Sequence, residues 1–303
     1  MAQTWTCSGL RWSADGPVLG WGGGRESPLT WGKRVAFGVA DGGGRTCVGA
    51  RGNVCPLRAG VSARSTGARC EECARLDRAH SVAADTLADD PRPYRVYLAW
   101  FGPGMAKVGI TALERGSARL LEQGAVCFSW LGSGPLMAAR RTEELLRAAL
   151  RVPDRIPYAR KRAVRAALPG TEGERAAEIE ELHRRALALG AWPESLTPAP
   201  FRAVDHVGAF GLPGSGGPVV GEVTELVAGG AVGGELVAAA GPDLHLATGD
   251  GVVVLDSRLM TGWELVPLPL PLPVDESGGG RVDVPVRALR VTGDGGRQQD
   301  GLF

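Results

Sequence analysis

Four side chains of this sequence combine types and order that could do chemistry: Tyr97, Lys107, Arg119 and Glu143. Tyr97 lies in the apolar run "RVYL" and Lys107 opens "KVGIT". Arg119 falls within "LERGSARLLEQG" and Glu143 within "ARRTEELL". Hydrolysis of a phosphodiester needs a group that helps deprotonate the attacking water, a cation for the charge building on phosphorus, and a carboxylate that holds a metal ion. A phenol, a lysine or arginine, and a glutamate suit those tasks. Each residue also has a plainer role. Tyr97 fits as a strand aromatic, and Lys107 and Arg119 as solvated surface charges. Glu143 fits as a helix-face partner of Arg140 or Arg147. Gly109, two residues after Lys107, fits where backbones approach closely.

The elements that must carry these residues follow from local pattern. Two prolines and two aspartates in "ADDPRPY" end whatever precedes them. "RVYLAWF" is expected as a strand, with "AKVGIT" its hairpin partner across a "GPG" turn. "LERGSARLLEQG" is expected as a helix closing on Gly124, and "AVCFSWLG" as a further strand. "GPLMAARRTEELLRAAL" is an amphipathic helix, apolar at Leu136, Ala139, Leu145, Leu146 and Leu150. The order β-β-α-β-α over about 60 residues defines a compact α/β unit. Residues 171–190, with an acidic start and basic later turns, are expected as a solvent-facing connector helix.

Around this unit the composition changes. Up to about residue 90 the chain is rich in Gly and Trp, with short apolar runs such as "VAFGV" between Gly clusters, which suggests short strands and turns. From about 200, "GPVVGEVTELV", "GELVAAA", "HLATGDGVVVLD", "GWELVPL" and "VDVPVRALRV" recur as short strands between turns, the pattern of a small antiparallel barrel or sandwich. "PLPLPLP" at 267–273 reads as an extended segment and "GDGGRQQDGLF" as a frayed tail. The expected fold class is α+β with several domains: 1–90, 91–170, a connector at 171–199, and 200–303.

Four of the six cysteines, Cys47, Cys55, Cys70 and Cys73, are spaced C-x7-C-x14-C-x2-C. The "CEEC" pair has a zinc-knuckle spacing, and four thiolates without a water position make a structural Zn2+ site. Unrelated buried thiols or redox chemistry are the alternatives. Cys7 and Cys127 are left as small buried hydrophobes.

The 303 residues carry a net charge of only +1, but its distribution is lopsided. Residues 91–170 hold 14 basic against 5 acidic side chains, and residues 171–303 hold 9 against 19. A basic block of this kind marks a polyanion-binding surface or a basic unit packed on an acidic one. The stretch "RIPYARKRAVRAAL" (155–168) could track a nucleic-acid backbone, or be a solvated basic helix. No run approaches the roughly 18 apolar residues of a membrane span. The start "MAQTWTCSGLRW" lacks a basic-then-apolar leader, so a cytoplasmic location is expected. His80, His183, His206 and His245 fall in no metal-binding pattern, and "GLPGSGGP" lacks the G-x-S-x-G of a nucleophile elbow.

Residues 93–152 resemble the GIY-YIG superfamily. Val96-Tyr97-Leu98 stands for Gly-Ile-Tyr and Lys107-Val108-Gly109 for the second motif, with lysine in place of its tyrosine. The resemblance implies that Arg119 is the helix arginine and Glu143 (Glu144 being its rival) the ligand of a catalytic Mg2+ or Mn2+. The later Asn of that superfamily has no clear counterpart. The four cysteines, the "YLAWFG…KVGIT…R…QGA" core, "ARRTEELL" and the β-rich tail together resemble the domain of unknown function 2797 family. The implied function is DNA or RNA binding with an endonuclease centre. The alternatives are a non-catalytic binding module or an interaction scaffold with a basic docking surface. Neither substrate structure nor oligomeric state is legible.

Overall fold

The computed structural model describes residues 3–13, 15–79, 90–212, 217–268 and 280–289. Most of "PLPLPLP", the whole tail "GDGGRQQDGLF", His80 and the centre of "GLPGSGGP" lie outside the described residues. In chain order the elements are β1 (Trp5–Ser13), β2 (Gly16–Trp21), β3 (Glu26–Pro28), β4 (Arg34–Val39) and α1 (Glu71–Ala79). Then come β5 (Pro93–Trp100), β6 (Ala106–Ala112), α2 (Ala118–Glu122), β7 (Cys127–Pro135), α3 (Leu136–Leu150), α4 (Tyr158–Val164) and α5 (Glu172–Leu187). The remainder are β8 (Thr197–Pro198), β9 (Val204–Asp205), α6 (Val207–Phe210), β10 (Val219–Val223), β11 (Ala231–Ala240), β12 (Asp243–Thr248), β13 (Gly251–Asp256), β14 (Glu264–Pro267) and β15 (Val286–Ala288). The protein is a mixed α+β structure. No described helix is long and apolar enough to cross a membrane.

The strands form two sheets. The smaller runs β6-β5-β7-β8, with β9 also on β7, and matches the β-β-α-β order expected from residues 93–135. Strand β5 is central, and its alternation puts Val96, Leu98 and Trp100 on one face and Tyr97 and Ala99 on the other. The first face packs on Leu136, Ala139 and Leu146 of α3 and on Ala176, Ile179 and Ala186 of α5. Helix α5 is therefore a core helix of this unit, not a solvent-facing connector. Its apolar stripe is narrow and flanked by charge, which disguises it in the sequence. A capping box between Thr171 and Glu174 starts it.

The larger sheet runs β15-β10-β13-β12-β11-β4-β14-β1-β2-β3. It is an open path with two ends, and of the barrel or sandwich expected from residue 200 onward, no closed barrel is found among the described residues. Strand β4 from the N-terminal segment lies between β11 and β14 from the C-terminal one, Val35 facing Gly234 and Val39 facing Leu265. Segments expected as separate domains thus share one sheet and one core, in which Phe37 and Val39 lie with Leu236, Leu246 and Leu265. The unit from β5 to α5 is inserted in the chain between β4 and β10.

Candidate functional site

Antiparallel register builds the site on the free face of β5. Tyr97 faces Gly109 on β6, and Ala99 faces Lys107. Tyr97 is only 2% exposed, and its ring lies over Gly109, where any Cβ would overlap the phenol. Gly109 is thus the space into which Tyr97 folds. A register shift of β7 against β5 falls between Val96 and Tyr97, a bulge of the kind that re-aims a side chain. Trp130 stands edge-on to Tyr97 at 6.4 Å, and the Arg95 guanidinium lies 4.7 Å from the Trp130 ring centre.

The Tyr97 hydroxyl accepts a hydrogen bond of 2.9 Å from Gln123 Nε2. Burial raises the phenol above its ordinary value, against the lowering effect of Gln123 and Arg119. Lys107 is 9% exposed; its Nζ donates to the Asp154 carbonyl at 3.1 Å and lies 5.7 Å from the Tyr97 ring centre. Burial first, and Arg119 second, push it down to about 8. Glu143 on α3 is half-buried, whereas Glu144 is exposed. Burial, then the neighbouring Asp154 carboxylate, raise Glu143, while Lys107 opposes them. Arg119 is exposed and shares Glu122 with Arg115, at 3.7 and 2.7 Å. Arg119 on α2 and Glu143 on α3 therefore each lie within electrostatic reach of both Tyr97 on β5 and Lys107 on β6.

Sequence reading missed three members of this surface. Gln123, the residue after α2, orients the phenol. Asp154 lies on the segment running beside β6, where Val108 N–H donates to the Pro153 carbonyl. Lys161 on α4 is 5% exposed; its Nζ donates to the Gln123 carbonyl at 3.2 Å and sits 3.7 Å over the Phe101 ring. Burial, then Lys107 and Arg165, push Lys161 down to about 7. A buried lysine among cations leaves no signal in a sequence, where it looks like any surface lysine.

The stretch 155–168 is neither an open basic track nor a solvated helix along its inner face. Arg162 donates to both oxygens of Asp243 at 2.6 and 3.0 Å and also pairs with Asp256 and Glu222. Arg165 is buried and pairs with Asp243 at 2.5 Å. Tyr158 accepts from Arg165 and donates to the Ala240 carbonyl, both at 2.8 Å. Part of the central positive charge is thereby spent joining the small sheet to acidic residues of the large one.

The four clustered cysteines form the second site. All four Sγ atoms lie within 4.8 Å of one another, and Cys55 and Cys70 are 4.0 Å apart. That is too far for a disulfide of about 2.05 Å. It suits the roughly 3.8 Å edge of a tetrahedron with metal–sulfur bonds near 2.3 Å. Backbone N–H groups of Gly49 and Cys70 point at Cys47 Sγ, at 3.4 and 3.2 Å. Cys70 and Cys73 bracket the first turn of α1, where backbone dipoles favour thiolate charge. Gly49, at φ 81°, passes so close to the Asn53 carbonyl that a side chain would collide with it. The set can hold a metal ion. Buried Arg45 bridges this segment and the large sheet, donating to the Ser62 and Ser65 carbonyls on one side and to the Arg258 and Thr261 carbonyls between β13 and β14 on the other. Cys7 and Cys127 lie apart from the cluster, pushed by burial to about 11 and about 12.

Compared with curated proteins and with solved structures, the chain finds no match. The family model described as "Protein of unknown function (DUF2797)" matches residues 32–265, a span from β4 to β14 that takes in the cysteine cluster and the whole small sheet. The chain belongs to the DUF2797 family.

Proposed function

We propose that this chain is a nucleic-acid-binding protein whose small sheet carries a GIY-YIG-like, metal-dependent endonuclease centre. The observation that carries the reading is that a phenol packed on Gly109 and a depressed lysine beside it have an exposed arginine and a half-buried carboxylate in electrostatic reach, on four elements. With Lys107 near 8, a sizeable share of it is neutral close to that pH, so it can take up a proton as the attacking water loses one. Gln123 holds the phenol oxygen in place beside it. Arg119 meets the charge on the non-bridging oxygens.

Glu143 fits one divalent cation, because burial and Asp154 both disfavour its charge and a bound cation would relieve both. Mg2+ or Mn2+ held there, completed by water and phosphate oxygens, would supply Lewis acidity at the phosphate. Cys47, Cys55, Cys70 and Cys73 would hold a structural Zn2+, an arrangement suited to the reducing cytoplasm. A second reading, a binding module without hydrolysis, is favoured by the Tyr97 phenol being almost fully buried and already bonded to Gln123.

The test is cleavage of mixed DNA and RNA structures with Mg2+ or Mn2+, beside Glu143→Gln. The expected result is metal-dependent cutting that falls at least about 100-fold in the variant. Salt-sensitive binding with no cutting by either protein would leave the module, and no binding at low salt would leave an interaction scaffold.

A further inference from the structure

Of the eight residues from Arg51 to Arg58, "RGNVCPLR", seven are exposed and only Cys55 is buried. Val54 and Leu57, on either side of that cysteine, are 83% and 74% exposed. The next most exposed large apolar side chain among the described residues, Leu76, reaches 46%. Two apolar groups held out beside a metal-ligating residue gain no packing for the fold.

The backbone of this tip is specified with care. Ala50 and Asn53 form an antiparallel bridge. The two residues between them, Arg51 at φ 54° and Gly52 at φ 81°, make a turn left-handed at both centres. A second turn brings Arg58 N–H to the Cys55 carbonyl at 3.1 Å, with Arg58 at φ 43°. Arginine in this conformation costs about 1 kcal/mol relative to glycine. The neighbouring Arg64, Arg69 and Arg75 all have carboxylate partners. Arg51 and Arg58 have none among the described residues. The cysteine cluster therefore holds rigid a tip with two apolar side chains at its centre and an unpaired guanidinium at each end.

We propose that this tip docks on double-helical DNA, with Val54 and Leu57 pressed against a base step and Arg51 and Arg58 on the flanking phosphates. Guanidinium groups match phosphate oxygens in pairs, and short apolar wedges beside arginines are how rigid proteins pry at base steps through the minor groove. A uniformly acidic protein patch would satisfy the arginines but offers the two apolar side chains no apolar counterpart, whereas a base step does. The assignment rests on nucleic acid being the partner in the reading above, and not on hydrolysis.

The experiment uses the full chain with Glu143→Gln, so that the probe survives, and a fluorescent DNA duplex of about 30 base pairs carrying one 2-aminopurine. Arg51→Asn with Arg58→Asn keeps residues that tolerate positive φ. It is expected to flatten the slope of log affinity against log salt by about 2, one unit for each lost phosphate contact. Val54→Ser with Leu57→Ser is expected to keep the slope, lower affinity about tenfold and abolish the 2-aminopurine signal. Zinc content is measured in every variant. Unchanged slope and affinity in the arginine variant would overturn the proposal. So would loss of zinc from it, which would make the arginines charge balance for thiolates, or tight binding of an acidic peptide with none of the duplex. Full duplex binding with no cleavage by the parent enzyme would sink the hydrolytic reading and leave this one standing.

Discussion

Two sets of cations from the same basic stretch of chain meet opposite fates. Arg162 and Arg165 are sunk between the sheets, each held by carboxylates of β10, β12 or β13. Lys107 and Lys161 are equally buried, yet among the described residues they bond only to carbonyls, and they lie against aromatic rings. Arginine keeps its charge when buried and its planar fork suits a bidentate carboxylate. Lysine gives up its proton when desolvated, which suits a group that must exchange protons. The joint uses the first property, and the proposed activity would call on the second.

Breaking the joint has the largest expected effect. Asp243→Ala leaves Arg165 buried without its carboxylate and lowers stability by about 3–5 kcal/mol in denaturant unfolding. An unchanged midpoint would mean the joint is not buried in solution. The acid limb follows the same residue. Burial disfavours its charge, but Arg165 and Arg162 more than compensate and hold it below the ordinary carboxylate range. Its stabilisation is therefore full above the usual value near 4 and is lost as pH falls below it.

The buried lysine gives the same sign in a higher window and from the opposite cause, because losing its proton relieves an unpaired buried charge. Lys161 titrates near 7 in the folded protein and at 10.5 ordinarily. Between those values the unfolded chain holds a proton that the native one lacks, so stability rises with pH across that window. Lys161→Met removes the dependence. Its effect on stability should be more favourable at about pH 6.5 than at about pH 10 by roughly 1–3 kcal/mol. Equal effects at both pH values would show that Lys161 is not desolvated.

Gly109→Ala sharpens the site half of the comparison. It forces the Tyr97 ring away, at a cost of roughly 1–2 kcal/mol, and should also shift the tyrosine fluorescence or ring NMR signals. Retention of native signals would mean the phenol is not packed on Gly109. The smallest effect belongs to Glu122→Gln, which releases Arg115 and Arg119 from their shared carboxylate. Stability should change by less than about 1 kcal/mol, while affinity for nucleic acid rises a few-fold at low salt. Unchanged affinity would remove these two arginines from the binding surface.

Legibility in the sequence followed the range of the interactions. The β-β-α-β-α order and the inward face of α3 were readable because turn residues and helical periodicity are local. Tyr97, Lys107, Arg119 and Glu143 were readable as types, and burial then separates Glu143 from Glu144. The neighbours of β4 were not readable, since Val35 and Gly234 lie far apart in sequence and nothing local declares their pairing. Nor was the fate of Arg162 and Arg165, on and just after α4. A buried, paired guanidinium and a solvated one are the same letter, and only the position of Asp243 distinguishes them.

The insertion of the small sheet between β4 and β10 has a consequence for the order of events at synthesis. Arg165 leaves the ribosome 78 positions ahead of the aspartate that will neutralise it. At ordinary elongation speeds that is an interval of roughly 4–16 s. Once residue 205 has emerged the small sheet has all its strands, while β4 still waits for β11 and Arg162 and Arg165 face water. A nascent chain at that stage presents a more cationic surface than the finished protein, and arrival of β12 extinguishes it. Solubility of the growing chain, and its tendency to cling to nearby RNA, would then depend on how soon residue 243 emerges.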